Sequence, residues 1–293
     1  MRSLAVSSPA KINLYLRILG KRNDGYHEIV TLFHRISLAD TIHLRKIKEG
    51  IRLACSHPRV PIKDNLIVRA FDLLKSKYPF QGGVAVRLTK RIPVAGGLGG
   101  GSSNAASFLL GMNRLFKLKL TPSQLAKLGT GLGADIPLFL RGVPQAIGRG
   151  RGDQIKNLPL KGQLWFLLFP DSRGLSTAKV YEGLDLHKSR LRRRALTQVT
   201  RDVRILSAFS ENGNLFRAGE LFSNDLTQSA ERIRPTLGKM REKLSSLQLG
   251  RCLMSGSGPT LLMVFPSEKK TRRALREIKR KLGARPVILC HSS

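Results

Sequence analysis

Apolar and polar residues alternate strictly near the start of the chain. From Lys11 to Ile18, Ile12, Leu14, Leu16 and Ile18 alternate with Lys11, Asn13, Tyr15 and Arg17. That period of two predicts a strand with one buried and one polar face. Ser3–Val6, Ile29–Leu38, Thr41–Leu44 and Ile51–Leu53 read as further strands. The period then changes. Leu66, Ile67, Ala70, Phe71 and Leu74 follow three-four spacing, so a helix opens after Lys63-Asp64-Asn65, with Asp64 or Asn65 as its cap. Val84–Leu88 is strand-like, and a helix-compatible run starts at Ala105. Thr121-Pro122-Ser123-Gln124 is a capping box with proline at the first helical position. The helix it starts is expected to end in Gly129-Thr130-Gly131-Leu132-Gly133, and Ile136–Leu140 fits either helix or strand.

The later chain is less regular. Gly142–Gly152 reads as a hairpin or linker, Leu164–Phe169 as a buried strand, and Asp185–Asp202 as polar, basic and weakly patterned. Helices are predicted at Leu215–Phe222 and Leu237–Leu247. Two strands flank Ser255-Gly256-Ser257-Gly258, a basic helix covers Lys269–Lys281, and Pro286–Leu289 is a last strand. Strands and helices mix without regular alternation, which predicts an α+β fold over a doubly wound sheet. A boundary is expected at residues 150–163.

Composition narrows the class. The 293 residues allow one large or two medium domains with ample core. No stretch approaches the ~20 apolar residues of a membrane span, and the first residues carry no long apolar segment of the signal-peptide kind. The cysteines Cys55, Cys252 and Cys290 are far apart with no CxxC, so free thiols in a reducing cytoplasm are expected, with no zinc site. Charge is the departure: 52 Lys+Arg against 19 Asp+Glu give a formal net +33. Such a balance favours anionic partners. Its densest runs, Lys188–Arg194 and Lys269–Lys281, are poor in aromatics, which speaks for a solvated basic surface over a dedicated nucleic-acid site.

The candidate chemistry begins with Pro93-Val94-Ala95-Gly96-Gly97-Leu98-Gly99-Gly100-Gly101-Ser102-Ser103-Asn104, where five of twelve residues are glycine. Glycine lets the backbone take φ > 0 and approach a ligand without a Cβ in the way. A helix following such a loop aims free N–H groups and its positive end at one point, which suits a phosphate. The loop lacks the Gly-Lys-Ser/Thr ending of a Walker A motif, and no His-Arg-Asp or Asp-Phe-Gly of a protein kinase exists in the chain. Gly129–Gly133 and Gly256–Gly258 are two more candidates for close backbone approach. Phosphoryl transfer to a hydroxyl also needs a carboxylate and positive charge. Asp135 fits either a general base or a helix cap. Lys11 fits either a catalytic cation or a solvent-facing lysine. Tyr26-His27 fits either a grip on a base or a turn edge.

Taken together, these segments resemble the GHMP kinase superfamily. Pro93–Ser103 is similar to its phosphate loop. Pro9-Ala10-Lys11-Ile12-Asn13-Leu14, Asp24-Gly25-Tyr26-His27-Glu28, Gly133-Ala134-Asp135-Ile136-Pro137 and Met254–Thr260 resemble the motifs of its branch that acts on a cytidine diphosphate-linked methylerythritol, in the same order. The resemblance implies a two-domain α+β fold: an N-terminal domain over 1–160, like domain 2 of ribosomal protein S5, and a ferredoxin-like C-terminal domain over 161–293. It implies an ATP-dependent kinase of non-mevalonate isoprenoid synthesis, working with Mg²⁺ on the 2-hydroxyl of that small molecule, with no membrane or nucleic-acid partner. Asp135 would be the base and Lys11 the lysine that holds the hydroxyl and the aspartate. Asn13, Tyr26, His27, Thr177 and Tyr181 would bind the substrate. Asn65 and Lys90 would lie near the ATP nucleoside, and residues 93–104 would wrap the triphosphate, which carries the Mg²⁺. Homoserine- or mevalonate-type acceptors and a basic nucleic-acid-binding protein on the same scaffold are the alternatives.

Overall fold

The structure, a computed structural model, describes residues 2–184, 192–283 and 285–293. By its internal packing the chain forms two units that interleave in sequence: residues 1–10, 38–94 and 99–143 in the first, and 11–37, 95–98 and 144–293 in the second. Two long strands, β1 (Ser3–Lys21) and β2 (His27–Ile47), contribute to both.

These strands correct the sequence reading, which divided each into two. β1 runs through Pro9, and β8 (Ser223–Asn224) pairs with it at Tyr15 and Leu16, well beyond the proline. β2 runs through Asp40, whose charge interrupts the apolar pattern but is buried and fully bonded.

In the first unit, residues 41–47 of β2 pair antiparallel with β4 (Gly83–Thr89), and β3 (Ile51–Cys55) lies parallel to β4. Four helices complete this unit. They are α1 (Leu66–Lys77), α2 (Gly100–Leu115), α3 (Pro122–Leu132) and α4 (Ile136–Arg141). Their apolar faces share one core with the sheet, from Ile42 and Val86 through Phe71 and Phe108 to Ile136. The predicted caps form: Asn65 accepts the Ile67 N–H at 3.0 Å, and the Thr121–Gln124 box is closed in both directions. The second glycine passage is not a turn. α3 continues through Gly129, where a Cβ would press on Leu140 and Ile136 of α4, so this glycine serves helix packing.

In the second unit, residues 31–34 of β2 pair with β5 (Gln145–Arg149), which forms the expected hairpin with β6 (Gln154–Asn157). A separate antiparallel sheet has the order β11-β7-β10-β9, made by Ile288–His291, Trp165–Phe169, Leu261–Phe265 and Cys252–Met254. Its helices are α5 (Thr177–Glu182), α6 (Arg192–Glu211), α7 (Thr227–Ile233), α8 (Pro235–Ser246) and α9 (Glu268–Leu282). The expected helix at 215–222 is a tighter 3-10 segment, Leu215–Leu221. α9 has the predicted form: Thr271, Ala274 and Ile278 face the core while Lys269, Arg273, Arg276 and Lys279 are exposed. Residues 188–191 of the other basic run lie outside the described residues, and 192–194 open α6.

Candidate active site

The glycine loop belongs to both units: 93–94 and 99–104 to the first, 95–98 to the second.

In the first unit, Gly99 takes a left-handed conformation (φ 68°) at the N-cap of α2 and offers no capping side chain. The Ser103 N–H bonds the Gly99 carbonyl at 2.8 Å. The N–H groups of Gly100, Gly101 and Ser102 precede it in the first turn, where a helix supplies no carbonyl partner. Three donors at the positive end of a 16-residue helix suit an anion. The polar residues that follow are spent inside. The Ser103 hydroxyl is buried and accepts from Ser8 at 2.9 Å, and the Asn104 amide donates to Ser8 at 2.8 Å and to Asp40 at 2.9 Å. Lys90 pairs with buried Asp40 and also donates to the Asn104 carbonyl oxygen at 3.2 Å. A Cβ on Gly100 would lie 3.2 Å from the Lys90 ammonium, so this lysine sits directly behind the first turn of α2.

Asn65 is half-buried and divided between two backbone groups. Its oxygen caps α1 and its amide donates to the Pro61 carbonyl at 3.1 Å. Leu66, beside it, lies 3.7 Å from where a Gly101 Cβ would be, which brings the start of α1 next to the start of α2. Asp135 occupies the N-cap position of α4, but its side chain makes no capping hydrogen bond. α4 packs on both α2 and α3, which fixes where this half-buried carboxylate stands.

In the second unit, Lys11 is not the solvent-facing lysine that alternation allows. It is 4% exposed and Asn13 is 2% exposed. The Lys11 ammonium donates to the Asn13 oxygen at 2.7 Å and stands 5.5 Å from the Phe33 ring centroid. The Asn13 amide donates to the Thr31 hydroxyl at 2.7 Å, and Thr31 donates to the Tyr15 carbonyl at 2.7 Å. The polar face of β1 is thus a buried, hydrogen-bonded row.

The turn at 255–258 covers that row. A Cβ on Gly256 would lie 3.3 Å from the Lys11 nitrogen and 3.4 Å from the Asn13 oxygen. Ser255 accepts the Asn13 N–H at 3.3 Å and donates to the Gly97 carbonyl at 3.0 Å. Asn224 holds the turn by donating to the carbonyls of Met254 and Gly256 at 2.8 and 2.7 Å. Gly97 is itself left-handed (φ 74°), and a Cβ there would collide with the Ser255 carbonyl. Ser257 then meets Thr177 of α5, hydroxyl to hydroxyl, at 2.9 Å. One turn further along α5, Tyr181 packs on His27 with centroids 5.0 Å apart. Burial and repulsion from Lys21 depress the His27 pKa, favouring the neutral ring with one donor and one acceptor nitrogen. Tyr26, next in chain, is 55% exposed.

The second unit therefore gathers Lys11, Asn13 and Thr177 around one turn, and Tyr181 with His27. In the first unit Lys90 and Asn104 share one network behind α2, and Asn65 stands at the neighbouring helix start. Sequence reasoning did not find the supporting residues Ser8, Thr31 and Asp40, and it named Ser255 and Ser257 within a motif without giving them a role. Asp40 had a signal, a charge inside an apolar strand; Thr31 had none.

Family models match at both ends of this architecture: GHMP kinases N terminal domain over residues 65–143 and GHMP kinases C terminal over 205–284. A 4-diphosphocytidyl-2-C-methyl-D-erythritol kinase of Moorella thermoacetica is 40% identical over 276 residues, 93% of this chain and 94% of the relative. A crystal structure of a 4-(cytidine 5'-diphospho)-2C-methyl-D-erythritol kinase superposes with TM-score 0.78 at 29% identity, covering 99% of this chain and all of the other. A homoserine kinase of Cytophaga hutchinsonii superposes almost as well, with TM-score 0.74 over all of this chain and 95% of the other, at only 16% identity, so it shares the fold. Similarity of this extent shows the family: the chain is a GHMP kinase and belongs to the 4-diphosphocytidyl-2-C-methyl-D-erythritol kinases.

Proposed function

We propose that this ATP-dependent kinase transfers the γ-phosphoryl group of ATP to the 2-hydroxyl of 4-diphosphocytidyl-2-C-methyl-D-erythritol, in the non-mevalonate isoprenoid route. The observation that carries the choice of acceptor is the packing of Tyr181 on His27, in the unit that also holds Lys11 and Asn13. An aromatic pair with a neutral imidazole suits a pyrimidine, taken by its face and by its polar edge. Homoserine or mevalonate has no ring for such a grip.

The residue roles in this proposal are those the family resemblance implies, and local geometry supports several of them. The N–H groups of Gly100, Gly101 and Ser102 receive phosphate oxygens, within a loop of residues 93–104 that encloses the triphosphate. Asn65 and Lys90 stand at the ATP side, Lys90 acting from behind the loop. Asp135 accepts the proton of the attacking hydroxyl, and Lys11, aimed by Asn13, supplies positive charge for the developing alkoxide. Thr177 and Asn13 contact the acceptor, while Tyr26, His27 and Tyr181 hold the cytosine. Mg²⁺ travels with ATP in this reading. It favours phosphate oxygens with few protein ligands, and the Ser102 hydroxyl in the first turn of α2 fits beside them. When bound, the ion offsets phosphate charge. The reading divides the sequence into an N-terminal domain over 1–160 and a C-terminal domain over 161–293, in a cytoplasmic enzyme that needs neither membrane nor nucleic acid.

A coupled ADP-release assay tests the proposal, with diphosphocytidyl methylerythritol as acceptor and homoserine and mevalonate as controls. Turnover on the first alone is expected. Turnover on either control at comparable kcat/KM would reassign the acceptor.

A further inference from the structure

The turn between β5 and β6 carries a residue that neither the phosphate chemistry nor the aromatic pair accounts for. The Arg151 guanidinium carbon lies 4.9 Å from the Tyr26 ring centroid. Among the described residues Tyr26 is the most exposed of the large apolar side chains, so the core does not set its orientation. Arg151, in contrast, is held from two sides. Its guanidinium donates to Asp153 Oδ2 at 3.1 and 3.3 Å, and its backbone N–H donates to Asp153 Oδ1 at 3.1 Å.

The two turns are also tied together. Glu28 accepts the Gly150 N–H at 3.1 Å and pairs with Arg22, which also bonds Asp24. Asp24 accepts the Tyr26 N–H at 3.1 Å, and the Ile29 N–H donates to the Gly150 carbonyl at 2.8 Å. Gly150 and Gly152 are both left-handed (φ 68° and 96°), which lets Arg151 stand at the apex of the tie. Glu28, the last residue of the Asp24–Glu28 segment, thereby has a purpose: it fastens the Tyr26 turn to the Arg151 turn.

We infer that Arg151 is a positioning residue for the nucleobase end of the acceptor. Its guanidinium stacks on one face of Tyr26 and fixes the ring so that the opposite face receives the cytosine. An unsupported tyrosine of that exposure samples several rotamers, and binding then has to immobilise it. A planar guanidinium both stacks and attracts the ring face, which a lysine ammonium does less well. The inference rests on the acceptor proposed above.

The test measures CDP binding by calorimetry and steady-state kinetics with both substrates, for Arg151→Ala, Arg151→Lys, Tyr26→Ala and the double variant. Removing an exposed cation–π partner should weaken CDP binding and raise the acceptor KM about two- to fivefold. kcat and the KM for ATP should stay unchanged, and Arg151→Lys should recover part of the loss. In the Tyr26→Ala background the Arg151→Ala effect should vanish. Equal CDP affinity in wild type and Arg151→Ala, or an Arg151→Ala effect that persists without Tyr26, overturns the inference. Absence of CDP binding by the wild type instead overturns the acceptor assignment.

Discussion

Asp40 and Lys90 form a buried ion pair behind the first turn of α2. Asp40 is fully buried. Besides Lys90 it accepts the N–H groups of Arg91 and Ile92 at 2.7 and 2.9 Å and the Asn104 amide at 2.9 Å. One carboxylate thus joins the strand that enters the glycine loop to the helix that leaves it. Asp40→Ala strands a buried ammonium and two backbone donors, and should cost about 3–5 kcal/mol. Lys90→Met leaves the carboxylate three other donors and should cost only about 1–3 kcal/mol. Urea unfolding measures both. The reverse order would mean that Lys90, not Asp40, organises the loop.

Asp135→Asn keeps the shape of the side chain at the head of α4 and removes its basicity. No capping bond is lost, since Asp135 makes none. General-base assistance is worth roughly 10²–10⁴-fold. Single-turnover ADP formation should fall by that factor with thermal stability and ATP KM little changed. A variant that turns over at the wild-type rate removes Asp135 from the chemistry.

His27 should give acceptor binding an acid limb. Its pKa is depressed by burial and by the Lys21 charge, so the neutral ring persists below the ordinary value near 6.5. kcat/KM for the acceptor should hold level from pH 8 through 6.5 and fall below that as the ring protonates. Lys21→Gln removes the repulsion, and the limb should then move up toward 6.5. A limb that does not respond to Lys21 belongs to another group.

His34 links folding to pH. It is fully buried, bonded through Nε2 to Ser292 at 2.8 Å, and burial pushes its pKa down to about 3. The folded form keeps it neutral while the unfolded chain protonates it below about 6.5. Its contribution to stability is complete above 6.5 and is lost as pH falls toward 3, at about 1.4 kcal/mol per pH unit. Urea unfolding at pH 7, 6 and 5 should show stability falling slowly at first and approaching that slope below pH 6, and His34→Gln should flatten it.

The residues that proved hardest to read show what a sequence withholds. Caps and turns such as Asn65 and Thr121–Gln124 were legible because their hydrogen bonds are local. The glycine loop was legible because its left-handed turns at Gly97 and Gly99 favour glycine. Lys11 was ambiguous because alternation gives a face without saying what covers it. The cover is the 255–258 turn, over 240 positions away in the case of the Asn13–Ser255 bond. Asp40 split β2 in the reading because its partners lie 51 and 64 residues on. The site's motifs were visible; the buried network that aims them was not.

The central claim is that this kinase takes an alcohol carried on cytidine diphosphate. It is tested most directly by comparing ADP release on diphosphocytidyl methylerythritol with release on methylerythritol phosphate, which lacks the nucleotide. Losing the stacking and polar contacts of one base, each worth about 1–3 kcal/mol, should lower kcat/KM at least about thirtyfold. Equal kcat/KM on the two acceptors would contradict the account.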